Sequence, residues 1–395
     1  MGDSRFITRV ILKNYRSIGY CDVELKPLTY LVGPNGSGKS NFLDALRLVS
    51  DSLNTTLDHA LRDRNGIKEV RRRSTGHPRN LKIKLHFQDR MGGSGFYEFE
   101  ISAQPKGGFE VRSEECQFNA FFQKSAHYRV ERGQVISSSI SSQPPAASSD
   151  RLYLVNVSGL PEFRKIYESL SHMGFYNLNP EIIRELQAPD TGEILQRDGH
   201  NIASVVRQLE QHIAIKRRIE EFLSKVVPSV EGVEFKIVGP KETLEFKQQV
   251  LGSKDPWRFL AANMSDGTLR ALGVLIALFQ SRKDLDSKIP LVGIEEPEAA
   301  LHPAAAGVLR EALNEASMNT QIIVTSHSPD LLDHPDISDD SILAVSSEKG
   351  TTRIAKIDEA GRSAIKEKLV TAGELLRLGQ LVPDEGMVNF TDDET

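Results

Sequence analysis

The sequence GPNGSGKS occupies residues 33–40 and is an unbroken G-x-x-x-x-G-K-S pattern. It follows an apolar run, LTYLV at 28–32, and precedes residues 41–49, whose apolar side chains recur at helical spacing. Glycines let a backbone wrap closely around phosphate oxygens, so that its N–H groups and the helix N-terminus face negative charge. The strand, loop and helix together predict a nucleotide-binding site.

The polar side chains of this loop have distinct expected roles. Lys39 is expected to reach the β- and γ-phosphates, and the Ser40 hydroxyl is expected to take a Mg²⁺ coordination position. ATP and Mg²⁺ are therefore the predicted cofactors. The predicted nucleotide-binding residues of the loop and the adjoining helix are Gly33, Pro34, Asn35, Gly36, Ser37, Gly38, Lys39, Ser40 and Asn41.

The bulk composition excludes several classes of protein. The chain has 395 residues, 26% of them charged, and a formal net charge of −5. That charge argues against a wholly basic nucleic-acid binder, although a local basic face is compatible with it. Cys21 and Cys116 lie far apart in sequence. This spacing excludes a zinc cluster or a disulfide framework and suits a reducing compartment.

The sequence predicts a cytoplasmic protein with no membrane contact. The apolar stretch at 272–279 is far shorter than the ~20 residues that cross a bilayer. The N-terminus lacks the apolar region of a signal peptide.

Hydrophobic periodicity changes along the chain. Strand-like alternation covers residues 6–32 and returns in four stretches between 80 and 132, which predicts an antiparallel sheet added to the nucleotide-binding core. The Ser- and Pro-rich segment 137–150 is expected to be a flexible loop. Helical spacing dominates 162–225, and 202–225 is the clearest long helix. Short strand patterns follow this helical region.

These changes predict a division of the chain into three parts. Residues 1–160 form an N-terminal ATPase lobe with the phosphate-binding loop and the antiparallel sheet. Residues 161–250 form a helical insertion. Residues 251–395 form a C-terminal ATPase lobe and tail.

A second cluster of candidate site residues lies near residue 295. PLVGIEE at 290–296 is an apolar strand pattern that ends in two carboxylates. In phosphate-loop enzymes such a strand holds a magnesium-side acid at its end, and a general base follows directly. By position, Glu295 is the expected metal-side acid and Glu296 polarises the attacking water. Most such proteins have Asp at the first position, so Glu295 departs from the pattern.

Two further motifs flank these acids. NMSDGTLR at 263–270 leads into an apolar helix, and a Ser and a Gly at a helix N-terminus can bind an anion. Ser265 is also an ordinary helix-capping residue, which is the structural alternative. His327 follows the apolar run at 321–325, at a strand end where ABC-type ATPases have a histidine that senses the γ-phosphate.

Together these motifs resemble the RecF/SMC/OLD branch of ABC ATPases, and most closely its stand-alone AAA_21-type ATPases. The resemblance rests on the order GPNGSGKS, SDGT, IEEPEAALHP and SHSP. NYRSI at 14–18 and DGHNIA at 198–203 match two further segments of that group, so the resemblance runs from about residue 6 to 330. It implies an α/β fold, a P-loop ABC-type ATPase head with an added antiparallel β-sheet and a helical subdomain. It also implies hydrolysis of ATP to ADP and phosphate.

The resemblance further implies how the site is completed. Two heads would close face to face, with each ATP between one phosphate-binding loop and the other subunit's signature motif. Ser265 and Gly267 would touch the γ-phosphate across that interface, and His327 would sense it. Arg16 would contact the nucleotide from the N-terminal segment. The expected assembly is a homodimer or a higher homo-oligomer.

Three functions stay open from the sequence. The first is an ATP-driven switch or sensor in bacterial anti-phage defence that controls a separate effector, such as a Toprim-like nuclease. No Glu followed by D-x-D occurs after His327, so the nuclease centre is not expected in this chain. The second is a RecF-like repair or maintenance ATPase that clamps DNA. The third is an ATP-bound scaffold without hydrolysis, against which the presence of Glu296 argues.

The DNA alternative depends on a dense run of Lys and Arg between residues 62 and 84. Within it, Arg71, Arg72 and Arg73 could contact phosphates. A solvated surface of oppositely charged pairs is the favoured interpretation, because the whole chain carries negative charge.

Overall fold

The computed structural model describes residues 4–74, 80–104, 107–119, 125–140, 143–280 and 289–387. It divides into two compact units, residues 1–173 with 334–395 and residues 174–333. The prediction of three segments, 1–160, 161–250 and 251–395, stays a prediction. Among the described residues, no helix combines the length and the apolar character needed to cross a membrane.

The strands are β1 (Ile7–Tyr15), β2 (Ile18–Glu24), β3 (Leu28–Val32), β4 (Asn80–Gln88), β5 (Ser94–Ala103), β6 (Phe109–Asn119), β7 (Ala126–Glu131), β8 (Gln134–Ser138), β9 (Gly174–Tyr176), β10 (Val230–Val238), β11 (Lys241–Gln248), β12 (Trp257–Leu260), β13 (Leu291–Glu295), β14 (Gln321–Ser326), β15 (Ile342–Glu348) and β16 (Thr351–Lys356). The α-helices are α1 (Lys39–Asn54), α2 (Leu57–Arg62), α3 (Ile67–Val70), α4 (Tyr153–Val157), α5 (Pro161–Ser171), α6 (Pro180–Arg184), α7 (Ile202–Leu209), α8 (Ile213–Val226), α9 (Asp266–Phe279), α10 (Ala306–Ser317), α11 (Pro329–Leu332), α12 (Glu359–Lys366) and α13 (Ala372–Arg377).

The first unit is built on a mixed sheet with the strand order β8-β7-β6-β5-β4-β1-β2-β16-β15-β3. β15 pairs parallel with β3, whereas β1 pairs antiparallel with β2 and β4. Every residue of β3 is buried. A strand covered on both faces is apolar throughout, which is why LTYLV lacks the alternation of β4. β3 leads directly to the phosphate-binding loop.

The predicted antiparallel strands between 80 and 132 are confirmed as β4 to β7. They do not form a sheet of their own, because β4 pairs with β1 and so extends the sheet of the first unit. β8 pairs with β7 and includes Ser137 and Ser138. The prediction of a loop from residue 137 is therefore wrong for these two residues, since the ladder with β7 outweighs their weak strand propensity.

Helix α1 anchors the phosphate-binding loop within the first unit. Phe42, Leu46 and Val49 lie three or four residues apart and are fully buried, so they form the apolar face of the helix. This face contacts α2 and α5. Because burial of each such side chain contributes about 1.5–3 kcal/mol, the packing holds the first turn of α1 in place.

The second unit contains a parallel set and a small antiparallel sheet. β13 pairs parallel with β14 and with β9, and the small sheet has the order β10-β11-β12. The sequence predicted β10, β11, β13 and β14. β9 and β12 have three and four residues, which is too short for a periodic signal.

The predicted single helix over 202–225 is wrong, because the chain forms two helices, α7 and α8. The N–H groups of Gln211 and His212 bond to carbonyls three residues back, which tightens and ends α7. The next apolar position, Ile213, is 77% exposed, and the buried face resumes at Ile215. Apolar spacing alone could not show this turn.

Candidate nucleotide-binding and hydrolysis site

The phosphate-binding loop joins β3 to α1 in the first unit, as the sequence predicts. Pro34, Asn35 and Gly36 are exposed, whereas Lys39 is 5% exposed. The Lys39 Nζ donates hydrogen bonds to the carbonyl oxygens of Gly33 at 2.8 Å and of Pro34 at 2.9 Å. The ammonium group therefore lies inside the curve of the loop, where an anion would meet it.

Two positions of the loop accept only glycine. A Cβ atom on Gly33 would lie 2.0 Å from the Val345 carbonyl oxygen. Gly38 has φ +104°, and its Cβ would lie 2.0 Å from the Thr352 Oγ1. Both contacts are far below van der Waals distance, so the loop is closely packed against β15 and β16.

The loop residues fit a bound triphosphate. The Ser37 Oγ is buried and has no hydrogen-bond partner among the described residues. Buried polar atoms are normally paired, and an unpaired one in an anion-binding loop suits a ligand oxygen. The backbone N–H groups at the start of α1 supply further donors. The Ser40 side chain is exposed, and a hydroxyl is a ligand type that Mg²⁺ accepts.

The N-terminal segment 14–18 is tied to α1 through Asp44. The Asp44 carboxylate accepts from the Tyr15 hydroxyl at 2.8 Å and pairs with Arg16 at 2.8 Å. The structure thus places the Arg16 guanidinium against the second turn of α1. A contact between Arg16 and nucleotide stays a prediction. Burial and the adjacent Asp44 carboxylate raise the pKa of the Tyr15 hydroxyl, so it remains a proton donor to Asp44.

A hydroxyl network that the sequence did not indicate supports the loop from β16. The Thr352 Oγ1 donates to the Ser37 carbonyl oxygen at 2.8 Å and bonds with the Ser17 Oγ at 2.7 Å. The Ser17 Oγ also accepts from the Asn41 side chain at 2.7 Å. Ser17 and Asn41 belong to sequence motifs, but no local pattern marks Thr352.

The predicted metal-side acid, Glu295, is held by an arginine in the second unit. It is the last residue of β13, and its Oε1 accepts from Arg197 Nη2 at 2.8 Å. Arg197 directly precedes the DGHNIA segment, in which the buried Asn201 accepts from the Gln196 N–H and donates to Asp190. The Asn201 contacts fix the loop that carries Arg197.

The structure brings Glu296 and His327 together, and their catalytic roles stay predictions. The Glu296 Oε1 and the His327 Nδ1 lie 3.1 Å apart, and both side chains are partly exposed. Glu296 has φ +44°, an uncommon conformation for a residue with a side chain. Its N–H donates to the Thr325 carbonyl oxygen at 3.0 Å, which anchors this turn to the end of β14.

Arg270 links the signature helix to both acids. One of its nitrogen atoms, Nη2, donates to the carbonyl oxygens of Glu295 at 3.1 Å and Glu296 at 3.0 Å. The other, Nη1, donates to the Leu178 carbonyl oxygen at 2.6 Å. Burial lowers the pKa of Arg270, although the neighbouring acids partly offset this effect. Arg270 belongs to the motif NMSDGTLR, but the motif does not indicate which residues Arg270 contacts.

The signature residues lie at the N-terminus of α9. The Ser265 Oγ accepts from the Thr268 N–H at 3.3 Å, so it caps its own helix as the structural alternative expects. Arg184 bonds to the adjacent Asp266 carboxylate. A Cβ on Gly267 would lie 2.6 Å from the Ala300 carbonyl oxygen, which explains the glycine. Contact of Ser265 and Gly267 with a nucleotide stays a prediction.

Most of the basic run 62–84 is paired with acids. Arg64 is 3% exposed and bonds to Asp44 at 3.0 Å and Asp51 at 2.8 Å. Lys82 and Lys84 both pair with Glu98, at 3.0 and 2.9 Å. Further ion pairs join Arg62 to Asp58 and Arg73 to Glu69. The favoured interpretation of a paired surface holds for Arg62, Arg73, Lys82 and Lys84 and is wrong for Arg64, which is buried. Arg79 lies outside the described part of the chain.

Two ATPase families match the sequence over these same regions. The AAA_15 family, described as "AAA ATPase domain", matches residues 6–142, which include the phosphate-binding loop. The AAA_21 family, described as "AAA domain, putative AbiEii toxin, Type IV TA system", matches residues 193–333, which include the acids and His327. Both matches are to ATPase domains, and each covers less than half of the chain. They indicate ATP binding and ATPase activity.

Curated relatives of the chain are distant. The chain is 23% identical over 337 residues to the OLD nuclease of Thermus scotoductus, a match that covers 82% of this chain and 59% of that protein. It is 41% identical over 44 residues to the DNA replication and repair protein RecF of Aliivibrio fischeri, 11% of this chain and 12% of RecF. The chain thus spans less than two thirds of either relative.

Solved structures identify the fold. The Smc head bound to the C-terminal winged-helix domain of ScpA has a TM-score of 0.56 and 16% identity, and the match covers 90% of this chain and 99% of that one. An Smc head derived from Pyrococcus furiosus gives a TM-score of 0.53 and 14% identity, with 92% and 99% covered. The fold is mixed α/β and resembles the ABC-type head of SMC proteins, with a separate small antiparallel sheet.

Proposed function

We propose that this chain is an ATP-hydrolysing ABC-type head that closes as a homodimer around ATP and switches a separate effector. The observation that carries the ATPase assignment is the phosphate-binding loop, with Lys39 directed into its curve by the Gly33 and Pro34 carbonyls. On binding, the Lys39 ammonium would exchange these neutral acceptors for phosphate oxygens. A phosphate oxygen carries negative charge and attracts the ammonium more strongly than a neutral carbonyl oxygen does, which favours that exchange.

The proposed hydrolytic roles belong to Glu296 and His327. Glu296 accepts the proton of the attacking water, and His327 holds the Glu296 carboxylate in place. Glu295 supplies a carboxylate oxygen, and Ser40 a hydroxyl oxygen, as ligands for Mg²⁺. When bound, Mg²⁺ neutralises charge on the phosphates. Ser265 and Gly267 are proposed to contact the nucleotide of the partner head.

Calorimetry on Lys39→Ala tests the nucleotide assignment. The variant removes the side-chain cation of the loop and leaves its backbone intact, so ATP binding and hydrolysis should both be lost while the melting temperature stays near that of the wild type. Lys68→Ala, on the exposed side of α3, is a matched control and should bind ATP normally. Unchanged ATP affinity in Lys39→Ala would show that the loop does not bind the triphosphate.

The effector is proposed to be a nuclease or a related toxic enzyme in anti-phage defence. Two names support this proposal: one relative is a nuclease, and one matching family is described by a toxin of a toxin–antitoxin system. The test is co-expression of the chain with the product of the adjacent reading frame, followed by affinity purification with and without ATP. A stable, ATP-dependent complex is expected. If the chain alone reproduces the full cellular effect, the separate effector is wrong.

A further inference from the structure

A third carboxyl group lies in the same turn as Glu295 and Glu296. Glu298 follows Pro297, and its Oε2 atom is buried, whereas the Glu296 side chain is 36% exposed. Its backbone carbonyl accepts from the Leu301 N–H at 3.0 Å, which closes a tight turn. The proposed hydrolytic mechanism assigns no role to Glu298, although it lies only two residues after Glu296.

The Glu298 carboxyl contacts the strand end that carries His327. Its Oε1 accepts from the Ser326 Oγ at 2.5 Å. The Ser326 hydroxyl is fully buried and in turn accepts from the Ser328 N–H at 3.1 Å. Ser326 and Ser328 flank His327 on both sides. The hydroxyl thus fixes the backbone turn from which the imidazole reaches Glu296.

The surroundings of Glu298 favour its neutral form. Its Oε2 is buried without a hydrogen-bond partner, and no ion pair neutralises it within the described ranges. Burial raises the pKa of Glu298, and the negative Glu296 raises it further, while the Ser326 hydroxyl and His327 act in the opposite direction. Arg270 is the remaining charged group that faces it.

We infer that Glu298 is a positioning residue: its carboxyl group holds Ser326 and so fixes His327 against Glu296. Glu298 does not touch the reacting atoms, and it acts through the turn 326–328. This inference rests on the proposed ATPase function, because the effect of placing His327 correctly is measured as the rate of ATP hydrolysis. It means that hydrolysis depends on Glu298 and Ser326 in addition to the paired Glu296 and His327.

Four variants test this role by steady-state ATP hydrolysis. Glu298→Gln keeps a carbonyl acceptor for Ser326 and the neutral charge, so kcat should stay within about threefold of wild type. Glu298→Ala and Ser326→Ala release the turn. Each should lower kcat by about 10- to 100-fold with little change in KM, because misplacement affects chemistry more than binding. The double variant should be no worse than either single one, since both remove the same contact.

A readout without turnover accompanies the kinetics. The imidazole nitrogen shifts of His327, measured by NMR on histidine-labelled protein, should change in Glu298→Ala and Ser326→Ala and stay at wild-type values in Glu298→Gln. Glu311→Gln, an exposed acid of α10 paired with Lys225, is the control and should change neither kinetics nor His327 shifts.

The possible outcomes distinguish failure of the inference about Glu298 from failure of the proposed ATPase function. Equal loss in Glu298→Gln and Glu298→Ala would mean that Glu298 does not act as the acceptor for the Ser326 hydroxyl, and wild-type kinetics with unchanged His327 shifts in Glu298→Ala would mean that it positions nothing. Either result overturns the inference. If the wild type hydrolyses no ATP, or Glu296→Gln hydrolyses it normally, the proposed function itself fails, and the NMR shifts still decide whether Glu298 positions His327.

Discussion

Glu296 is the residue on which the hydrolytic assignment depends. Its carboxylate lies 3.1 Å from the His327 Nδ1, and its backbone is fixed by the Thr325 carbonyl below and by Arg270. These contacts restrain a residue with φ +44°. Conformations of this kind persist where the surroundings over-determine them, and they are frequent at active sites. We attribute the strained backbone at Glu296 to the need to direct its carboxylate toward His327.

Glu296→Gln should separate nucleotide binding from hydrolysis. The amide keeps the size of the side chain but cannot accept the proton of water, so kcat should fall by about 10²- to 10⁴-fold with ATP affinity retained. Phosphate release at saturating ATP measures the first quantity, and calorimetry measures the second. Glu295→Gln is the companion variant, and it should instead raise the Mg²⁺ concentration needed for half-maximal turnover. Abolished turnover in Glu295→Gln alone would reverse the two assignments.

At the scale of elements, a buried acid joins the extended sheet of the first unit to a helix. Glu114 on β6 is 1% exposed and accepts from the hydroxyls of Tyr97 at 3.1 Å and Tyr128 at 2.7 Å. It also accepts from the N–H groups of Tyr153 and Leu154 at the start of α4. This carboxylate therefore satisfies donors from two neighbouring strands and from a helix N-terminus at once.

Glu114→Gln should destabilise the first unit. The amide has one acceptor oxygen instead of two, so a buried donor loses its partner at a cost of about 1–3 kcal/mol in the free energy of unfolding. Urea denaturation measures the difference. Glu115→Gln, on the neighbouring partly exposed position, should lie within about 0.5 kcal/mol of wild type. A Glu114→Gln protein as stable as that control would show that the network contributes nothing.

The same residue predicts a pH dependence. Burial raises the pKa of Glu114 in the folded state, and its hydrogen bonds only partly offset this. The unfolded chain then releases this proton at lower pH than the folded protein. The contribution of Glu114 to stability is therefore complete below the ordinary carboxyl pKa of about 4.3 and is lost as pH rises through the raised value. Glu114→Gln should lack this decline.

Local order along the chain was predictable, whereas contacts between distant positions were not. β3, the glycine loop and α1 are adjacent in sequence, and their periodicity and turn chemistry identify them directly. The Arg197–Glu295 pair joins residues 98 positions apart, and Thr352 meets the Ser37 carbonyl across 315 positions. Neither Arg197 nor Thr352 has a local sequence signature, because an arginine in a polar segment or a threonine in a strand fits many environments. The buried role of Arg64 was hidden in the same way within a charged run.

At the scale of the whole molecule, the proposed switch requires that ATP bind the closed dimer more tightly than the open head. A ligand shifts a two-state equilibrium only by its differential affinity for the two states. In a closed dimer the triphosphate would gain contacts from the partner's Ser265 and Gly267, and that gain would supply the difference. Hydrolysis of ATP would remove the γ-phosphate and with it the contact that bridges the two heads. A variant that binds ATP but does not hydrolyse it should therefore accumulate closed dimers.

Light scattering on Glu296→Gln with ATP and Mg²⁺ tests this proposal. The variant should elute as a dimer with ATP and shift toward monomer with ADP, because only ATP offers the γ-phosphate to the second head. Adding Lys39→Ala to the same protein removes nucleotide binding and should leave it monomeric under both conditions. Gly267→Ala in the same protein leaves Lys39 in place and should also prevent the ATP-dependent dimer, because its Cβ would press on the Ala300 carbonyl at the signature. A Glu296→Gln protein whose mass is the same with ATP, with ADP and without nucleotide would contradict ATP-driven closure.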